Sequence, residues 1–181
     1  MDQKKQKKRK ALIILPLALV CLVLAFLVYW KWPEKRLPES AIADKVVVIK
    51  SKKILILMNG DTVLKTYRIA LGKSPQGPKR CQGDFKTPEG NYILDSKNSN
   101  SNFHLSIHIS YPNNTDRKAS QRLGCSPGGD IMIHGLPDKW DWIGKLHRLS
   151  NWTFGCIAVT SSEIEEIWRA VPIGTPIEIR K

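Results

Sequence analysis

Twenty consecutive uncharged residues, Ala11 to Trp30, separate a lysine-rich start from a polar, proline-bearing stretch. As a helix such a run spans about 30 Å, the thickness of a bilayer's hydrocarbon core. Tyr29, Trp30 and Trp32 fall where an aromatic belt would lie, and Lys4 to Lys10 fall on the other side. The pattern predicts a transmembrane helix over 11–30, with residues 1–10 in the cytoplasm and everything after Trp32 outside. Pro16 is compatible with this, because membrane helices tolerate proline. Ala41-Ile42-Ala43 has the small-x-small form of a signal-peptide cleavage site, but it lies too far beyond the apolar run, which favours a retained anchor. Pro33 to Ser40 is polar with two prolines, so 31–43 is expected to be a linker.

From Asp44 the period changes to that of strands, and 44–181 is expected to be one domain. Aliphatic and β-branched runs predict strands near Lys45–Lys50, Lys53–Met58 and Thr62–Leu71, with Asn59-Gly60 as a hairpin turn. Gly72 to Gly90 is rich in Gly and Pro and predicts an exposed loop. Strands near Asn91–Asp95 and Phe103–Ser110 follow, then another polar stretch from Pro112 to Asp130. Asp130 to Gly135 is expected to be a short buried strand ending in a turn. A helix begins at Thr160 or Ser162, with Ser162-x-x-Glu165 fitting a capping box and Ile164, Ile167, Trp168 and Val171 making an apolar face. Thr175–Ile179 is a last strand. The expected class is mainly β with short helices, plus the N-terminal membrane helix.

Charge sharpens the picture. The 181 residues hold 29 Lys and Arg against 16 Asp and Glu, a formal charge of +13. Six of those cations and one Asp lie within residues 1–10, so the remainder carries +8. A basic domain suits an anionic polymer, but an extracytoplasmic position argues against nucleic acid. Cys21 lies in the apolar run, leaving Cys81, Cys125 and Cys156 in the exported part. Either Cys81 and Cys125 pair and Cys156 is free, or no disulfide forms. No two cysteines have the close spacing of a zinc site.

Two segments carry candidate chemistry: Ile133-His134-Gly135 and Thr153-Phe154-Gly155-Cys156-Ile157. Each places a reactive side chain at the end of a short apolar strand beside glycine, which holds the group still and lets a substrate approach. A thiol needs a base near it to react as a thiolate, and histidine is the usual partner.

At these residues the chain resembles the L,D-transpeptidase catalytic-domain family (YkuD-like). The resemblance rests on His134-Gly135, on Thr153-Phe154-Gly155-Cys156, and on the Thr87-Pro88-Glu89-Gly90 loop. It extends to the opening Asn-Gly hairpin and the closing Gly174-Thr175-Pro176-Ile177 strand, so it covers roughly Asp44 to Lys181. Many members carry His before the Gly-Cys and Arg or Asn two residues after the Cys, where this chain has Phe154 and Ala158. That version is similar to the YafK-like subgroup. The resemblance implies a β-sandwich-like catalytic fold, Cys156 as nucleophile and His134 as base, acting on peptidoglycan stem peptides without metal or cofactor. Cys156 would attack the amide before the terminal D-alanine of a stem tetrapeptide, and an amine of a second stem, or water, would take the thioester. Gly155, Thr153 and Gly135 are the expected positioning residues, with the N–H groups of Gly155 and Cys156 as oxyanion donors. The enzyme would then sit in a bacterial inner membrane with its domain in the periplasm. L,D-carboxypeptidase action, release of a wall-attached lipoprotein, and a non-catalytic wall-binding module are the alternatives.

With Ala158 in place of Arg, substrate binding needs other cations, and Arg122, Lys139 and Arg148 are candidates together with Trp152. His147 is a rival base that lacks the strand-end glycine. His104 and His108 share the spacing of a ligand pair, but no third ligand lies near them, which favours a solvated or hydrogen-bonded pair. Trp140, Trp142 and Trp152 suit either a substrate groove or a small core.

Overall fold

In the computed structural model the backbone is described for residues 3–31 and 35–181, and side chains for 14–28 and 35–181. The chain falls into two compact units divided between Lys35 and Arg36. The first is a single helix, α1 (Gln3–Lys31), which continues through Pro16. Every described side chain on it, Ile14 to Val28, is exposed. Among the described residues no helix is long and apolar enough to cross a membrane. The ends of the expected span (Ala11 to Ile13, Tyr29 and Trp30), its flanking Lys4 to Lys10, and Trp32 to Glu34 lie outside the described side chains.

The second unit is built on one sheet. Its strands are β1 (Lys45–Ile49), β2 (Ile54–Asn59), β3 (Thr62–Arg68), β4 (Gly90–Ser101), β5 (His104–Ile109), β6 (Met132–His134), β7 (Ile157–Ala158) and β8 (Thr175–Arg180). They hydrogen-bond in the order β3-β2-β1-β8-β4-β5-β6-β7, so a single eight-stranded sheet replaces the expected sandwich. The sheet also curls round on itself. Ala70, just past the edge strand β3, bridges Ala158 in the opposite edge strand β7, and Gly72 bridges Thr153. This closure brings the chain after β3 against the segment that carries Cys156.

Alternation along the strands explains the core. Val46, Val48, Leu55, Leu57, Ile107, Ile109, Ile177 and Ile179 are buried in one cluster, as period-two side chains on one face must be. Helix α3 (Ser161–Ala170) buries Ile164, Ile167 and Ala170 against it. Its cap is Thr160 with Glu163 rather than Ser162 with Glu165: Thr160 Oγ1 accepts from the Glu163 N–H and the Glu163 carboxylate accepts from the Thr160 N–H. In the opening hairpin Asn59 pairs with Thr62, so Gly60 and Asp61 make the turn. Only Gly60 (φ 53°) takes the left-handed backbone, and Asn59 ends its strand instead of entering the turn.

Two helical segments lie outside the predicted elements. The polar stretch after Pro112 contains a helix, α2 (Asn114–Arg122), opened by a capping box between Asn113 and Asp116. Residues Asp138–Leu149 form 3-10 helix interrupted at Gly144.

Candidate active site

His134 ends β6 and Cys156 stands one residue before β7. The two strands run parallel, with Ile133 opposite Ile157 and His134 opposite Ala158. Carried one residue back, the register sets Cys156 beside Met132, two residues from His134 on the adjoining strand. Residues two apart on a strand share a face, so the thiol and the imidazole are diagonal neighbours across the parallel pair.

His134 is 4% exposed. Its Nδ1 lies 2.7 Å from the Gly135 carbonyl. A carbonyl can only accept, so Nδ1 carries the proton and Nε2 is the basic nitrogen. The ring packs against Phe103, 4.4 Å away between centroids, and against Trp152, edge-on at 5.7 Å. Burial lowers its pKa to about 4, with the Gly135 hydrogen bond opposing the shift. Above pH 5 the imidazole is neutral and can take a proton.

Cys156 is one of two free cysteines; the other is Cys21, and Cys81 is disulfide-bonded to Cys125. The Cys156 thiol donates to the Asp130 carbonyl at 3.5 Å. Burial raises its pKa, the Met132 N–H lowers it, Asp130 raises it and the nearby Lys79 lowers it. The resting pair is therefore a neutral thiol beside a neutral imidazole. Lys79 is itself buried and held by the Cys81 carbonyl (3.0 Å) and by Asp84 (2.8 Å).

The turn before Cys156 is braced by Thr153, whose hydroxyl donates to the Cys156 carbonyl at 2.7 Å and accepts from the Gly155 N–H at 3.2 Å. The Gly155 N–H is thus already engaged, which corrects its expected place as a free oxyanion donor. Gly155 has φ 136°, and a Cβ there would meet the Lys86 carbonyl at 2.7 Å. Gly135 is confined as well: a Cβ would meet both Ile164 and the Phe103 carbonyl at 2.9 Å. Glycine at these two positions lets the His134 and Cys156 segments pack against backbone.

The other expected site residues divide. Trp152 joins the site through His134, Phe103 and Trp140. Arg148 is committed to Glu163 at 2.6 Å in a largely buried ion pair, so it serves the cap of α3 instead of a substrate. Arg122 and Lys139 are exposed, at the end of α2 and the start of the 3-10 segment. His147 is buried with neither ring nitrogen hydrogen-bonded. Its pKa falls to about 3 through burial, then through the charges of Arg148, His134 and Lys53. His104 and His108 each meet a separate carboxylate, Glu165 at 2.8 Å and Asp95 at 2.6 Å, so they do not converge on one point.

Sequence reading missed Lys79, Asp84 and Asp130: Asp130 and Lys79 act on the charge state of the sulfur, and Asp84 holds Lys79. Only Asp84 left a signal. It stands two residues before an N–H that it accepts, that of Lys86 (3.1 Å), in the manner of an Asx turn.

Residues 43–179 match the L,D-transpeptidase catalytic domain, YkuD, and the chain belongs to that family. Among individual relatives it is similar to YafK of Escherichia coli strain K12, a candidate L,D-transpeptidase. They share 32% identity over 111 residues, 60% of this chain and 37% of that protein. In structure it is similar to the helical cell shape determining protein Pgp2 of Campylobacter jejuni, with TM-score 0.60 and 26% identity, covering 78% of this chain and 49% of that one. Bd1075 of Bdellovibrio bacteriovorus gives TM-score 0.52 and 25% identity over 79% of this chain and 49% of that one. The chain therefore spans about half or less of the length of these relatives.

Proposed function

We propose that this chain is a membrane-anchored acyltransferase of the cell wall that uses Cys156 as nucleophile, with a stem tetrapeptide of peptidoglycan as donor. The observation that carries the reading is the parallel β6–β7 register, which sets a tautomer-locked His134 next to Cys156.

As the Cys156 sulfur attacks the carbonyl carbon before the terminal D-alanine, its proton passes to His134 Nε2. The C–N bond then breaks, and the imidazolium returns that proton to the departing amine. The Gly135 carbonyl favours the imidazolium while it exists, and proton transfer by a positioned base of this kind contributes about 10²- to 10⁴-fold. The Cys156 N–H is the donor available to the developing oxyanion. An amine of a second stem gives a cross-link and water gives hydrolysis. Release of a wall-attached lipoprotein would run through the same thioester.

Sequence supports the anchor. Ala11 to Trp30 is uncharged, Lys4 to Lys10 precede it, and the side chains of Ile14 to Val28 are exposed on their helix. This reading puts the catalytic unit in the periplasm.

The test is intact mass of the full chain in detergent after incubation with a carbapenem, wild type beside Cys156→Ala, with tetrapeptide muropeptides assayed in parallel. An adduct on the wild type alone, with release of D-alanine, is the expected result. No adduct and untouched muropeptides would sink the catalytic reading and move the weight to a wall-binding module.

A further inference from the structure

Beside Gly155-Cys156 the surface carries three side chains that the chemistry above leaves unused. Phe154 is 69% exposed and Phe85 37%. Their rings stand 5.4 Å apart, tilted by 41°. Lys73 lies over both, its Nζ 4.6 Å from the Phe154 centroid and 5.6 Å from that of Phe85. Two adjoining exposed rings make a contiguous apolar patch, and such patches mark contact surfaces.

The arrangement is fixed from below. The Lys73 N–H donates to the Thr153 carbonyl at 3.0 Å and the Ser74 N–H to the Phe85 carbonyl at 3.1 Å. Phe85 is held at φ 55°, a left-handed backbone that a bulky residue adopts only under constraint. Gly72 admits the Phe85 carbonyl so closely that any Cβ would collide with it, and its Cβ position is 3.1 Å from the Gly155 α-carbon. The two ends of one loop and the segment before Cys156 thus converge to present one ammonium and two ring faces beside Gly155-Cys156. No carboxylate among the described residues pairs with Lys73.

We propose that Lys73, Phe85 and Phe154 form the subsite for the free C-terminal residue of the donor peptide, the ammonium taking its carboxylate and the rings its side chain. This rests on the acyl-transfer reading of Cys156. A ligand that fits must join an anion to a small apolar group, and a C-terminal D-alanine is such a unit. On acylation the C–N bond to that residue breaks, the thiol proton reaches its nitrogen through His134, and it leaves as a free amino acid from beside Lys73. The subsite therefore selects donors by the leaving group and favours cleavage at a free chain end.

Binding is tested apart from catalysis on the full chain carrying Cys156→Ala. Fluorescence anisotropy compares a labelled stem tetrapeptide, its C-terminal amide, and a form amidated at its internal carboxylates. The C-terminal amide should bind about tenfold more weakly, as expected for loss of a charge-assisted contact near the surface. Adding Lys73→Met should erase that difference, Lys73→Arg should restore it, and Phe154→Ala should weaken acid and amide alike. An acid-to-amide ratio unchanged by Lys73→Met would overturn the subsite, as would a Lys73 effect that follows the internal carboxylates. Absence of D-alanine release by the wild type, with the binding pattern intact, would instead count against Cys156 catalysis.

Discussion

The Thr153 hydroxyl donates to the carbonyl of Cys156 at 2.7 Å, spanning the turn that delivers the Cys156 thiol. Because it also accepts from the Gly155 N–H, one buried side chain satisfies both ends of that turn. Replacing it by Val keeps the shape and removes both bonds, and an unsatisfied buried group costs about 1–3 kcal/mol. Thr153→Val should lower kcat for D-alanine release by roughly 10- to 100-fold, while Thr153→Ser retains most of it. Steady-state kinetics of the two variants decides this; a loss in Thr153→Ser with Thr153→Val unaffected would show that the methyl group, and not the hydroxyl, matters.

Gly155 gives a steric test of the same turn. A Cβ would sit 2.7 Å from the Lys86 carbonyl, at φ 136°, where L side chains are strained by about 1–3 kcal/mol. Gly155→Ala should lower the melting temperature and slow acylation of Cys156. Gly129→Ala, where nothing lies within 4 Å, should change neither. Thermal melts and carbapenem acylation rates are the readouts, and a Gly155→Ala protein indistinguishable from wild type would contradict the packing described.

The pH dependence follows from the two shifts. Burial holds His134 near 4 and raises the thiol of Cys156. The imidazole is able to accept a proton above about pH 5, and loses that ability as pH falls through 4. Turnover should therefore persist to about pH 5 and fall below it. Alkylation of Cys156 by iodoacetamide, measured in a Cys21→Ala background, should instead keep rising beyond pH 9. An alkylation plateau between pH 5 and 7 would mean a preformed thiolate–imidazolium pair and overturn the neutral resting state.

How much of this could be read from sequence depends on where each residue finds its partner. The alternating strands around Val46 and Leu55 were legible because their burial follows a period of two, and the His134 and Cys156 segments because their neighbours are local glycines. Helix α2 was not. It buries Asp116 and Ser120, bonded to Tyr92 and to the Arg80 carbonyl, so it has no apolar stripe to betray it. β4 runs on to Ser101 through polar residues because β5 pairs with it, a fact about another strand. The same holds for Lys73 and Phe85, which meet Phe154 only because the sheet closes between Ala70 and Ala158.

The disulfide bears on the surroundings of the thiol. Cys81 and Cys125, 44 residues apart, join the two loops that flank the sulfur, and the Gln82 N–H donates to the Ser126 carbonyl between them at 2.7 Å. One loop ends at Asp130, whose carbonyl receives the Cys156 thiol; the other includes Lys86, against which Gly155 rests. A cross-link closing a loop of this length is worth about 4 kcal/mol by chain entropy. The double variant Cys81→Ser with Cys125→Ser should lower the melting temperature. Assayed well below that temperature, it should also acylate Cys156 more slowly, because the loop backbone that cups the thiol is no longer fixed. A lower melting temperature with an unchanged acylation rate would restrict the bridge to stability and deny it any part in shaping the pocket.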